Sequence, residues 1–120
     1  MTFHHDWWAD NVVERMPRVR FGQVHLFDNL YTAVGNDYCI GVGVSANIRD
    51  ENNVFIGVKN PIDSTDYSNS ASIIHSTGNL LQMTTGTSQD IGGAAFTPPY
   101  AYTLDPASGV ESAVKNGAGP

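Results

Sequence analysis

Cationic side chains are scarce. The chain has six Lys and Arg against twelve Asp and Glu, and none between Asn60 and Val114. Charged residues of both signs make up only 15%, well below the roughly 25% of an average soluble domain. This balance excludes broad nucleic-acid binding, which needs an extended basic face. The single cysteine, Cys39, excludes an internal disulfide and a thiolate metal cluster. Between Tyr38 and Ile40 it reads as a small buried hydrophobe. No apolar run approaches the ~18 residues of a membrane span, so no membrane partner is expected. The start, Met1-Thr2-Phe3-His4-His5-Asp6, carries neither a basic n-region nor an apolar h-region, so no signal peptide is expected in this stretch. Helix-favouring stretches are too few for a bundle.

What is present is small and polar. There are 10 Asn, 9 Thr, 9 Ser and 12 Gly among 120 residues, a length that suits one domain. A hydrophobic content of 41% with 10% aromatics is too high for a disordered segment. An all-β or repeat architecture is what remains.

A repeat is visible. Asp6, Asn29, Asn53 and Asn79 are each followed by two apolar residues: Trp7-Trp8, Leu30-Tyr31, Val54-Phe55 and Leu80-Leu81. Five places before the last three Asn stand Val24, Ile48 and Ile74. Spacings of 23, 24 and 26 residues fit one turn of a parallel β-helix, in which like residues stack at about 4.8 Å. Apolar columns are then expected to fill the interior, and the Asn column to form an amide ladder from side chain to side chain. Further strands are expected at Val19 to Phe21 and Ile40 to Val44. Leucine-rich repeats lack their Leu-x-x-Leu-x-Leu frame here, and helical hairpin repeats need longer units.

Exposed loops are expected over Asn60 to Asn69 and Gly86 to Gly93. An extended stretch follows at Pro98-Pro99-Tyr100. Asp105-Pro106 offers an N-cap and first helical turn, and Val110 and Val114 share a face of a short terminal helix. The expected organisation is β-helix coils over 1–104 and a C-terminal capping tail over 105–120. With no cap before Phe3, the coil is expected to be truncated on its N-terminal side.

Three of the six basic residues, Arg15, Arg18 and Arg20, fall within six positions. On composition alone such a cluster is surface charge, or a set of partners for Asp10 and Glu14. The flanking sequence changes that. His4-His5-Asp6-Trp7-Trp8, then Arg15-Met16-Pro17-Arg18-Val19-Arg20, then Val24-His25-Leu26-Phe27-Asp28-Asn29 closely resembles the pectate lyase family. The Arg-x-Pro-x-x-Arg motif sits between a His-His-Asn-type turn and a Val-His-x-x-Asn-Asn-type strand. Gly35-Asn36-Asp37-Tyr38, Glu51-Asn52-Asn53 and Gly117-Ala118-Gly119-Pro120 are similar to bacterial members.

The resemblance implies a right-handed parallel β-helix and calcium-assisted β-elimination of α-1,4-linked polygalacturonate. It implies that Arg15 is the Brønsted base that takes the C5 proton and that Arg20 holds the uronate carboxylate, with Pro17 shaping the turn. Acidic polysaccharide is then the partner, the localisation is secreted, and the full-length protein is expected to be a monomer. The family's calcium ligands lie upstream of this stretch and have no counterpart in it, so no metal-binding residue is expected here and the segment alone is expected to be weakly active or inactive. The alternatives are a pectin lyase acting on methylated pectin and a non-catalytic β-helix that binds acidic polysaccharide.

An arginine base needs a physical reason. A guanidinium pKa above ~12 must fall by several units, at about 1.4 kcal/mol each. One like charge at about 4 Å supplies roughly 4 kcal/mol at an effective dielectric of about 20. Arg18 and Arg20 are such neighbours, and bound calcium would be another. The reaction should therefore favour alkaline conditions.

Other residues read less sharply. Adjacent residues of a strand face opposite ways, so His4 and His5 are expected to be structural and not to chelate one ion. His25, Arg49 and His75 share a column and suit stacking or surface polarity. Trp7 and Trp8 are expected to pack. Asp6 and Asp28 stand where the family has Asn, and an ionised Asp cannot donate to a ladder. These two are expected to weaken the stack or to titrate high.

Overall fold

The computed structural model describes residues 2–9, 14, 16–33, 35–64 and 68–117. Arg15 and Asp10 lie outside the described residues, as do 65–67 of the expected loop and 118–120 of the expected tail.

Among the described residues, eleven short strands and one helix succeed one another. The strands are β1 (Thr2–His4), β2 (Trp7–Trp8), β3 (Arg18–Val19), β4 (Gln23–Phe27), β5 (Leu30–Tyr31) and β6 (Ile40–Val42). They continue with β7 (Asn47–Glu51), β8 (Val54–Ile56), β9 (Ile62–Asp63), β10 (Ile73–Thr77) and β11 (Leu80–Gln82), and helix α1 spans Ala107–Gly117. They form three sheets: β1-β4-β7-β10, β2-β5-β8-β11 and β3-β6-β9. Every neighbouring pair is parallel, and the chain visits the sheets in rotation. This is a parallel β-helix of about three turns, with the register that the sequence columns require. Val24 pairs with Ile48, and Ile48 with Ile74; Trp8 pairs with Tyr31, and Tyr31 with Phe55.

Alternation along each strand sends every second side chain inward. Val24, Leu26, Ile48 and Ile74 from the first sheet meet Tyr31 and Phe55 from the second and Val19, Ile40, Val42 and Ile62 from the third. Trp8, Tyr31 and Phe55 stack face to face, with centroids 4.8 and 4.5 Å apart and planes within 11°. That separation is the strand spacing itself, so parallel register brings rings into contact without adjustment.

The neighbouring column behaves differently from expectation. Leu30, Val54 and Leu80 point away from the interior, and α1 covers them with Val110 and Val114. A strand whose alternate residues are also apolar needs a second partner, and the terminal helix is that partner. Trp7, at the edge of this column, is 40% exposed and lies under the Lys115 ammonium at 5.6 Å.

The Asn ladder is also built otherwise than expected. Each carboxamide oxygen accepts a backbone N–H from the coil before it: Asp6 N to Asn29 Oδ1 at 2.9 Å, Asn29 N to Asn53 Oδ1 at 2.8 Å, Asn53 N to Asn79 Oδ1 at 2.9 Å. The amide nitrogens of Asn29 and Asn53 donate to the carbonyls of Phe3 and Leu26. A bend between sheets leaves main-chain groups without a strand partner, and the short amide supplies one. Asp6 joins as a backbone donor, so its carboxylate leaves the rung intact.

Just before each rung the backbone turns left-handed. His5, Asp28, Asn52 and Gly78 have φ of 55°, 55°, 53° and 69°. A Cβ at Gly78 would come within 2.0 Å of Asn52 Oδ1, which explains the glycine.

The segment after Ala95 is a strap across the outer face of the first sheet. Arg49 Nε donates to Phe96 O at 2.8 Å, Phe96 N donates to Asn47 Oδ1, and Tyr102 donates to Glu51 at 2.6 Å. His25, Arg49 and His75 do share a column. The strap makes its members unequal: His25 is fully buried beneath Tyr100 and Tyr102, and His75 is exposed.

Candidate active site

The third sheet carries the cationic face. Arg18 and Arg20 are two apart, so they leave the backbone on the side opposite to Val19, which is buried. Met16, wholly buried, anchors the segment, its N–H bonded to Cys39 O at 2.8 Å. The Met16–Pro17 peptide is cis. Gly41 and Gly43 donate to Pro17 O and Val19 O at 2.8 and 2.7 Å, so β6 holds this strand from the next coil.

Those two glycines also make room. A Cβ on Gly41 would stand 3.1 Å from Arg18 Cγ and 2.8 Å from the Tyr38 ring. A Cβ on Gly43 would stand 2.7 Å from Arg20 Cγ and 2.5 Å from Val19 O. The Gly-x-Gly formed by Gly41 in β6 and Gly43 just after it is a bare floor over which both arginine stems lie. The sequence reading did not single it out, although glycine inside a strand is a signal for close approach. Arg20 is exposed, with its guanidinium 5.7 Å from the centre of the Phe21 ring. A cavity of about 400 Å³ opens beside Arg18 and Arg20, walled by Phe3, Pro17, Val19 and Val24.

Arg20 is therefore where an anion can reach it, beside the half-buried Arg18. Arg15 lies outside the described residues, and no distance relates it to either. Around this face the described residues form no cluster of three His, Cys, Asp or Glu; the one such group is elsewhere. Calcium takes six to eight oxygens. Among the described residues, none at this face assemble such a set of oxygens.

Two other polar constellations sit at the first sheet. In one, Glu51 Oε1 accepts from His25 Nε2 at 2.7 Å, and Tyr100 O–H meets His25 Nδ1 at 2.8 Å. Burial lowers the His25 pKa against the opposing pull of Glu51, which leaves a neutral ring donating at one nitrogen and accepting at the other. The other joins His5, Asp28 and Asp105. His5 Nε2 is 2.8 Å from Asp105 Oδ2 and 3.7 Å from Asp28 Oδ2, and Asp105 N donates to Asp28 Oδ2 at 2.8 Å. Burial raises the Asp28 pKa, in line with the expectation that it titrates high. The alternation argument about His4 and His5 fails here, because the left-handed turn at His5 takes it out of the strand. The two rings meet at Nδ1, 2.9 Å apart. The sequence reading noted His5, Asp28 and Asp105 separately and nothing in it joined them. Asp105 lies 77 positions beyond Asp28.

The larger cavity, about 510 Å³, lies beside this second group and is lined by His4, His5, Phe27, Tyr100 and Tyr102. Size alone would favour it as a substrate site. Among the described residues, the exposed arginine is at the smaller one.

A family model described as pectate lyase matches residues 1–120. A pectate trisaccharide-lyase of Bacillus licheniformis is 37% identical over 119 residues, which is 99% of this chain and 34% of that protein. Among solved structures, a pectate lyase from Xanthomonas campestris has a TM-score of 0.79 at 27% identity, over 98% of this chain and 39% of the other. A pectate lyase from Bacillus sp. N165, in complex with trigalacturonate, has a TM-score of 0.72 at 25% identity, over 95% and 38%. The chain thus spans about a third of the length of the curated relative.

Proposed function

The chain belongs to the pectate lyase family, and from that premise we propose that it is the part of a secreted polygalacturonate lyase that bears the base and the uronate clamp. The observation that carries this reading is the exposed Arg20 beside Arg18 over the bare Gly41 and Gly43 floor, in a chain that holds the complete Arg-x-Pro-x-x-Arg sequence. The Bacillus relative solved with trigalacturonate supports an acidic galacturonan as substrate.

In this reading Arg20 pairs with a uronate carboxylate, and its planar fork suits two parallel hydrogen bonds. Arg15 takes the C5 proton. The C5–H electron pair then forms the C4–C5 double bond, and the glycosidic oxygen at C4 leaves with its bonding pair. Like-charge repulsion from Arg18 and Arg20 is the means by which such a base would reach its neutral form. Activity rises toward alkaline pH accordingly. No step runs through calcium, which the residues described here do not hold. An exposed guanidinium also favours a charged uronate over a methyl ester, and so pectate over pectin.

The test is the pair Arg15→Ala and Arg20→Ala in the whole protein that carries this segment. Release of 4,5-unsaturated uronate is followed by ultraviolet absorbance. Arg15→Ala is expected to abolish product while binding survives. Arg20→Ala is expected chiefly to raise KM. Unchanged product release in Arg15→Ala would take the base role away from Arg15, and no product from the wild type would leave the non-catalytic polysaccharide-binding reading.

A further inference from the structure

We propose that His5, Asp28 and Asp105 form a binding site for a small divalent transition-metal cation of the zinc class. One ligand atom from each residue lies within 4.8 Å of the others, an imidazole nitrogen and two carboxylate oxygens. That donor set suits zinc and its neighbours, and three protein ligands leave a fourth position for water. Calcium, which prefers oxygen alone, is a poor match.

A set of hydrogen bonds accounts for only part of the group. The Asp28 side chain is completely buried, and its carboxylate is aimed at the His5 ring, Oδ2 lying 3.7 Å from Nε2. Its Oδ2 receives the Asp105 N–H, and its Oδ1 has no hydrogen-bond partner among the described residues. A buried carboxylate oxygen left unpaired is costly, and a cation satisfies it directly. The charged groups that bear on Asp28 are Asp105, His5 and His4, with no lysine or arginine among them.

The surroundings suit a ligand ring. His5 Nδ1 faces His4 Nδ1 at 2.9 Å, and His4 is itself stacked on Phe27 at 4.9 Å and 5°. As it stands, His5 Nε2 donates to Asp105 Oδ2; a cation would displace that proton, and the contact between the two Nδ1 atoms would then hold the ring in the ligating tautomer. His5 and Asp105 are 37% and 44% exposed, so an ion can enter from the cavity that His5 helps to line. The site joins two successive bends of the β-helix to Asp105, two residues before α1. Its chemistry is separate from that of the arginine face.

Zinc is titrated calorimetrically into the full chain after chelator treatment, and cobalt is added in parallel with visible absorption as the readout. One equivalent of zinc is expected, with cobalt bands of a low-coordinate site and no competition from calcium. Asp28→Asn, which keeps an acceptor for Asp105 N–H, and His5→Gln are each expected to weaken binding tenfold or more. If circular dichroism shows Asp28→Asn unfolded, His5→Gln at its partly exposed position decides alone. The proposal is overturned by a failure of the wild type to bind one equivalent, by affinity within twofold of wild type in the folded variants, or by equal competition from calcium.

Discussion

Asp28 accepts the backbone N–H of Asp105 at 2.8 Å, although 77 positions separate the two residues. Asp105 is held twice more, by His5 at its carboxylate and by Asn52 Nδ2 at its carbonyl, 2.9 Å away. Three successive left-handed bends therefore fasten the junction between strap and helix. Asp28→Ala strands the Asp105 N–H and is expected to cost about 1–3 kcal/mol in urea unfolding. Asp28→Asn retains the acceptor and is expected to stay within about 1 kcal/mol of wild type. Equal losses in both would show that the hydrogen bond is not what matters.

Asn53 is the most committed rung of the ladder. It accepts from Asn29 N–H and donates to Leu26 O and to Asp50, all within the buried bend. Asn53→Ala removes those partners together and is expected to lower stability by about 3 kcal/mol. Denaturant midpoints of this variant and of Asn79→Ala, at the more exposed end of the ladder, give the comparison. A loss no greater than at Asn79 would contradict the bonding described.

Stability should depend on pH through buried groups of opposite sign, the raised carboxyls Asp50 and Asp28 on one side and His25 on the other. Burial pushes the Asp50 carboxyl up to about 6, against donors from Asn79, Asn53 and Ser76. Its contribution is complete below the ordinary value of 3.8 and is lost as pH rises through about 6. Burial lowers His25, so its contribution is present above 6.5 and is lost as pH falls toward its folded value. Asp50→Asn is expected to reduce the decline between pH 3.8 and about 6 to the part that Asp28 contributes, leaving the loss on acidification that His25 causes. Unfolding midpoints measured across that window decide; an unchanged slope in Asp50→Asn would assign the dependence elsewhere.

Gly43 is expected to matter for the arginine face as much as for the strand. Gly43→Ala places a methyl 2.5 Å from Val19 O and 2.7 Å from Arg20 Cγ. Overpacking of this kind costs about 1–3 kcal/mol. Because Arg20 must shift, KM for polygalacturonate is expected to rise about tenfold, roughly 1.4 kcal/mol, with kcat less affected. Gly93→Ala, where a Cβ meets nothing within 4 Å, is the control.

The coil period was legible because stacking in a parallel β-helix repeats the same environment every turn. The columns Val24/Ile48/Ile74 and Trp8/Tyr31/Phe55 are pairs of the actual register. The helix was legible from Asp105-Pro106 and the Val110/Val114 spacing. The side chosen by an apolar column was not. Leu30 and Val54 read like core and are buried, yet they face α1, because both strand faces were apolar and only packing separates them. The ladder was placed correctly on Asn29, Asn53 and Asn79, and its bonding was not, since side-chain amide and backbone N–H are equally good partners on paper. Of the arginine face, Arg18 and Arg20 were visible as a cluster in the sequence; the Gly41 and Gly43 floor beneath them was overlooked.

The sequence by itself determined the coil, its register, the rungs at its bends and the cluster of arginines, since each is written in residue type at a fixed spacing along the chain. Tertiary structure alone decided that Asp105 meets Asp28 and His5, that Tyr100 and Tyr102 bury His25, and that α1 covers the outer face of the second sheet. The physical reason is range. A solenoid pairs residues about 24 positions apart, whereas the strap returns across several coils at once, and its partners are chosen by the surfaces that the finished coils present.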